Sequence, residues 1–273
     1  MEIAHASGNV SKLFKIIRST GAKKIAVSEN VLSKSGDSLL NKSDKLGRWA
    51  EHFQEQFSWP ESAGPLGTSS VESSWDIDLT PFSAAELDSC IRCPDARKAA
   101  GPDELTPIVF KEACKSLIMK LTELFRLIWI SEEIPEDWGE SIIVLIFKKG
   151  NRDLCENYRG VSLTPVISRM FATLILRRLS DFRENKIREE QAGFRQGRGC
   201  IDHIFTLRQV LELRRTYHQP TVVFLDFKCA FDSVDRCALL RTLLNRGVPT
   251  KYVNLFQSVY RNTSGRVRVY GEL

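Results

Sequence analysis

The sequence predicts an α+β fold, and three observations carry that prediction. Long stretches place apolar residues at helical spacing, most clearly over 111–130 and 166–182. Two short continuous apolar runs, 141–147 and 222–225, have the composition of buried strands. Near the end, S-G-R-V-R-V-Y (264–270) alternates polar and apolar residues and opens another strand.

Taken in order, residues 11–57 read as helical, with a looser stretch at 33–37. Leu46, Trp49, Ala50, Phe53 and Phe57 form one apolar stripe, so Trp49 and Phe53 are expected to pack in a core or dock, not to stack on bases. From Pro60 to Trp75 the composition shifts to Ser, Gly and Pro. This bounds a helical N-terminal extension (1–59) and a flexible linker (60–79). Order resumes at Thr80. Ser83 and Glu86 make a capping box for a short helix that ends before Cys93-Pro94. Gly101-Pro102-Asp103 is a turn. The 111–130 helix turns Cys114, Leu117, Ile118, Leu121, Leu124, Phe125 and Ile128 inward, and Pro135 stops it.

A buried strand follows Trp138 and ends on Lys148 and Lys149. A polar turn joins it to N-Y-R-G-V-S-L (157–163), so the pair reads as a β-hairpin carrying cations. In the 166–182 helix, Ile167, Met170, Phe171, Leu174 and Ile175 face inward, with Arg169, Arg177 and Arg178 toward solvent or a phosphate backbone. The run Val222–Leu225 reads as a strand buried on both faces, ending on Asp226. Residues 234–246 form a helix closed by Gly247 and Pro249, and 251–260 form another.

Composition narrows the function. With 273 residues, 42% hydrophobic and 27% charged, the chain has the make-up of a soluble globular protein. No apolar run approaches the roughly 18 residues of a membrane span, and the start lacks the layout of a signal peptide. Seven scattered cysteines point to a reducing, intracellular setting. Cys90 and Cys93 have no second pair, so a structural zinc is not expected. Net charge is +5, but 141–220 holds 15 Lys and Arg against 8 Asp and Glu. Such a basic segment suits a polyanion or phosphate groups, and a solvated basic face explains it equally well.

Three groups of residues are candidates for chemistry. Asp226, at the exit of a rigid strand, is placed to ligate a metal; the alternative is an Asp that begins a turn. No G-x-x-x-x-G-K-[ST] occurs, so a P-loop is not expected. Lys148 or Lys149 with Arg159 on a hairpin suit a triphosphate, or else a solvated tip. In Q-A-G-F-R-Q-G-R-G-C (191–200), glycines allow close backbone approach and arginines offer forked donors to phosphate.

Together these motifs resemble the reverse transcriptases of non-LTR (LINE-type) retrotransposons. Phe224, Asp226, Ala230, Phe231 and Asp232 match F-x-D-x-x-x-A-F-D, the first palm motif; I-F-K-K-G with N-Y-R-G-V-S-L matches the fingers; K-A-x-G-P-D opens them; Q-x-G-F-R-x-G-R matches the template-lining segment. The resemblance covers roughly 80–273. It implies the fingers (80–220) and partial palm (221–273) of a right-hand polymerase, and RNA-directed DNA polymerase activity. In the complete enzyme, Asp226 would ligate two Mg²⁺ ions while a primer 3′-hydroxyl attacks the α-phosphate. Lys148, Lys149, Arg159, Phe227, Ala230 and Phe231 would contact the nucleotide, with Phe231 excluding a 2′-hydroxyl.

The resemblance also assigns Gly193, Phe194, Arg195 and Arg198 to the template, with strongly salt-dependent binding. Asp232 is expected to cap the next helix. Implied partners are an RNA template, a DNA primer and deoxynucleoside triphosphates, with no membrane, in cytoplasm and nucleus. The family takes further carboxylates from a later Asp-Asp hairpin, and this sequence has no Asp-Asp pair. The chain is therefore expected to be truncated after the first palm motif and inactive alone. The alternatives are a non-catalytic remnant that at most binds RNA, and a nucleotide-binding regulator using Lys148, Arg159 and Asp226.

Overall fold

The computed structural model describes residues 27–58, 72–92, 98–195, 197–219, 223–227 and 229–271. Among these the architecture is α+β. Strands β1 (Val31–Leu32) and β2 (Ser38–Leu39) pair antiparallel and lead into α1 (Lys42–Phe57). The helix expected over 11–26 lies outside the described residues. Over 27–41 the helical expectation gives way to this hairpin, because Ser33-Lys34-Ser35-Gly36-Asp37 is turn chemistry: Gly36 sits at φ 93° and the Ser33 N–H donates to the Asp37 carbonyl at 2.8 Å.

The capping box forms as expected: the Glu86 N–H donates to Ser83 Oγ at 3.2 Å and the Ser83 N–H to Glu86 Oε2 at 2.8 Å, opening α2 (Ala84–Arg92). The single helix expected at 111–130 is two, α3 (Pro107–Lys111) and α4 (Lys115–Ser131). Extended backbone at Cys114 separates them. α4 ends before Pro135, at Glu132, whose left-handed conformation (φ 59°) lets its N–H cap the Ile128 carbonyl at 2.8 Å.

Strands β3 (Glu140–Phe147) and β4 (Tyr158–Leu163) form the expected antiparallel hairpin, with Phe147 opposite Tyr158 and Ile146 opposite Arg159. Helices α5 (Val166–Glu184), α6 (Cys200–Thr216), α7 (Arg236–Asn245) and α8 (Thr250–Arg261) follow, and then β5 (Ser264–Arg268). β5 pairs parallel with β3, giving the order β4-β3-β5. One sheet thus joins residues on both sides of position 220.

Two cores hold these elements. The larger packs α2, α4, α5 and α8 around Leu87, Phe125, Phe171 and Tyr252. The smaller seats α1 on the sheet through Trp49, Phe53, Ile143, Tyr158 and Val269, with Trp49 edge-on to Tyr158 at 5.0 Å. Trp49 and Phe53 are buried, as their spacing predicts, while Phe57 at the end of the same stripe is exposed. α1 is therefore a cover for the sheet, sharing its core. No helix among the described residues is long and apolar enough to cross a membrane.

Three expectations are corrected. Residues 60–71 of the expected linker are outside the described residues, but 72–79 lie along the body. Trp75 stacks on Phe182 at 4.8 Å and its N–H donates to the Gly247 carbonyl at 2.7 Å. Gly247, at φ 82°, lies so close to the Ser73 carbonyl that any Cβ would collide with it. Second, Arg178 does not face solvent or a phosphate. It is buried over the Phe82 ring and forks onto Glu86, with Nε to Oε1 and Nη2 to Oε2 both at 3.0 Å.

Third, the buried strand expected at Val222–Leu225 is absent over its described part. Val223, Phe224 and Leu225 are 75–82% exposed and pair with no strand. A strand apolar on both faces needs flanking strands and cover on each side. The central sheet is made by β4, β3 and β5, and none of them reaches this run.

Candidate functional site

The cationic hairpin is the best-formed part of the site. Alternation along β3 carries Lys148 to the same side as exposed Ile146, whose cross-strand partner is Arg159. The Lys148 N–H donates to the Asn157 carbonyl at 2.8 Å, extending the ladder one residue past the strand. Tyr158, on the opposite side, is buried against Trp49 and Phe147 and gives its hydroxyl proton to the Arg152 carbonyl at 2.9 Å. The buried face thus fixes the backbone while Lys148, Lys149 and Arg159 stand in solvent, with no carboxylate paired to them among the described residues. Gly101, from the K-A-x-G-P-D element, packs behind this region. A Cβ there would lie 2.5 Å from the Thr164 carbonyl carbon, so the position admits no side chain without a shift.

Asp226 is exposed, in the open run 223–227, and no ion pair joins it to Lys148, Lys149 or Arg159. Phe227, Ala230 and Phe231 are exposed as well. The turn that follows closes through the Ser233 N–H to the Cys229 carbonyl at 2.9 Å, with Cys229 at φ 51°. Asp232, expected to cap the next helix, does not do so. Its Oδ2 accepts from Gln56 Nε2 of α1 at 2.7 Å, and the cap of α7 is Asp235, whose Oδ1 accepts from the Ala238 N–H at 2.9 Å. Asp235 lies immediately before the helix, where a cap must be, and Asp232 is three residues too early.

The glycine-rich loop contains a second reversal. Arg195, expected on the template, has its guanidinium buried. Nε reaches Glu184 Oε1 at 2.7 Å and Nη1 donates to the carbonyls of Arg188 and Gln191 at 3.0 and 3.1 Å. Five fixed donors suit one arginine to tying a loop to a helix end as well as to gripping phosphate, and the sequence does not separate the two uses. Arg198 pairs with Glu189 and stays partly exposed. Phe194, at φ 60° and 80% exposed, meets the edge of Phe231 with ring centroids 5.7 Å apart and planes at 82°. The structure therefore joins one expected template residue to one expected nucleotide residue.

A cleft of about 1880 Å³ lies between α1, the sheet, α5, α7 and α8. Leu46, Phe53, Ile143, Phe171 and Val267 form apolar walls, and of the expected site residues only Phe231 lines it. Among the described residues no group of three or more His, Cys, Asp or Glu is placed to hold a metal.

Residues 146–272 match the family model for reverse transcriptase (RNA-dependent DNA polymerase). This segment is therefore similar to the reverse transcriptase domains of LINE-type retrotransposons. The chain is 23% identical over 244 residues to a probable RNA-directed DNA polymerase from transposon BS of Drosophila melanogaster, covering 86% of this chain and 27% of that protein. It is 28% identical over 202 residues to a probable RNA-directed DNA polymerase from transposon X-element of the same fly, covering 72% and 22%. A third relative, the RNA-directed DNA polymerase from mobile element jockey of Drosophila melanogaster, is 26% identical over 248 residues, covering 87% and 27%. The chain spans about a quarter of the length of these curated relatives.

Proposed function

We propose that this chain supplies the fingers and the first part of the palm of an RNA-directed DNA polymerase. Residues 80–220 act as fingers and 221–273 as partial palm, working on an RNA template, a DNA primer and deoxynucleoside triphosphates. The observation that carries this reading is the hairpin β3–β4. Its buried face locks the backbone, and its free face holds Lys148, Lys149 and Arg159 without internal partners among the described residues. A triphosphate brings concentrated negative charge, which fixed cations neutralise without reorganising as pyrophosphate departs. Exposed Phe194 and Arg198 are the loop residues left to meet the template, because Arg195 is held inside the loop.

Asp226 is a single exposed carboxylate, and the described residues add no cluster of ligands around it. One such group does not make a divalent site, so the donor set is incomplete and no step is assigned to a metal here. What these residues do themselves is bind phosphate, orient the sugar through Phe231 and receive the template.

The test is steady-state primer extension on an RNA template, using the polypeptide that carries this chain. Lys148→Ala and Arg159→Ala should each raise the KM for deoxynucleotide about tenfold, the loss of one charge-assisted contact of about 1.5 kcal/mol. An unchanged KM in both variants would remove the hairpin from the nucleotide site.

A further inference from the structure

Phe194 is an unusual residue to find where it is. A large aromatic side chain in left-handed backbone is disfavoured, and here it is also left 80% exposed, so burial does not compensate. What holds it there is a clamp from the end of α5. Arg183 Nη2 donates to the Phe194 carbonyl at 3.0 Å, and the neighbouring Arg195 guanidinium is fixed to Glu184. With its carbonyl and the following residue held in this way, the Phe194 ring meets the edge of Phe231. On the other side of Phe231, Asp232 is tied to α1 by Gln56. The 229–233 turn is thus braced from two distant parts of the chain.

We propose that Phe194, clamped through Arg183 and Arg195, is a positioning residue that sets the orientation of the Phe231 ring and so tunes discrimination between deoxynucleotides and ribonucleotides. The selectivity half of this proposal rests on the polymerase reading above; the clamp itself does not. Phe231 has little else to fix it, since it is 74% exposed. An edge-to-face pair is worth about 0.5–1.5 kcal/mol, so losing it should change selectivity by roughly two- to twelvefold.

The experiment uses the polypeptide that carries this chain, with 4-fluorophenylalanine placed at position 231 and read by fluorine NMR. Phe194→Ala should move the resonance to that of a solvated ring. Glu184→Gln, which weakens the clamp without touching either aromatic, should move it in the same direction, with circular dichroism checking that both variants stay folded. A resonance unmoved by Phe194→Ala overturns the contact. One moved by Phe194→Ala but not by Glu184→Gln overturns the clamp. Titration with dCTP and with CTP, on primed RNA template, then reads selectivity at the same fluorine. The wild-type chain should respond to dCTP at lower concentration than to CTP, and Phe194→Ala should narrow that gap two- to twelvefold. An equal gap in both overturns the selectivity role. No response to either nucleotide sinks the polymerase reading at Phe231, and with it the selectivity role, while the two variants still judge the clamp.

Discussion

Arg178 ties together three separate stretches of the molecule. It forks onto Glu86, donates to the carbonyls of Asp78 and Thr80, and lies over the Phe82 ring. These contacts fasten 78–82 to α2 and α5, beside the Tyr252 hydroxyl, which donates to the same Asp78 carbonyl at 3.2 Å. Arg178→Met keeps the aliphatic bulk but removes the ion pair to Glu86 and the donor to the Thr80 carbonyl. It should cost about 2–3 kcal/mol in denaturant unfolding.

The same cluster sets a pH dependence. Burial pushes the Glu86 carboxyl up, but hydrogen bonds from Ser83 and Arg178 outweigh it and leave the group below its ordinary value of 4.5. A depressed carboxylate stabilises the fold above its unfolded pKa, and that contribution disappears as pH falls through the folded value. Stability should therefore decline below about pH 4.5, less steeply in Arg178→Met than in the wild type. Equal slopes would detach Arg178 from Glu86. The partnership was not legible beforehand: helical spacing places Arg178 off the apolar face of α5, and nothing local reveals a carboxylate 92 residues away in sequence.

At the scale of elements, the hairpin and the amphipathic helices were readable because their signals are local. Register follows from alternation, and apolar stripes pick out one face. The capping box was readable for the same reason. What failed depended on partners. Val222–Leu225 has the composition of an interior strand, yet composition cannot supply the neighbours such a strand needs, and the described run stands open. α6 is similar. It carries Ile201, Ile204 and Phe205, yet no residue of it is buried. Leu225→Asn and Ile204→Asn should each change the stability of the chain by less than about 0.5 kcal/mol. A loss of 2 kcal/mol or more, the scale of a core truncation, would mean that these residues are packed and the strand is formed.

For the whole molecule, one of the two cores seats α1 on the sheet, and Lys148, Lys149 and Arg159 stand exposed on its β3–β4 hairpin. β5 and β3 lie side by side although Ser264 comes 117 positions after Phe147. The sequence division into extension, fingers and palm accordingly names stretches of chain that the sheet and α1 bind together. Recognition by motif reached the correct domain class because F-x-D-x-x-x-A-F-D and N-Y-R-G-V-S-L are contiguous patterns. It did not reach the inward turn of Arg195 or the meeting of Phe194 with Phe231, which depend on how distant segments pack.

The central claim is that Asp226 and the cationic hairpin serve one reaction, the copying of RNA into DNA. The measurement that tests it most directly is primer extension with Mg²⁺ and deoxynucleotides on an RNA template, comparing the polypeptide that carries this chain with its Asp226→Asn variant. The account predicts extension by the first and a loss of about a hundred- to a thousandfold in the second, the scale of removing one preorganised catalytic group. Undiminished extension by Asp226→Asn would contradict it.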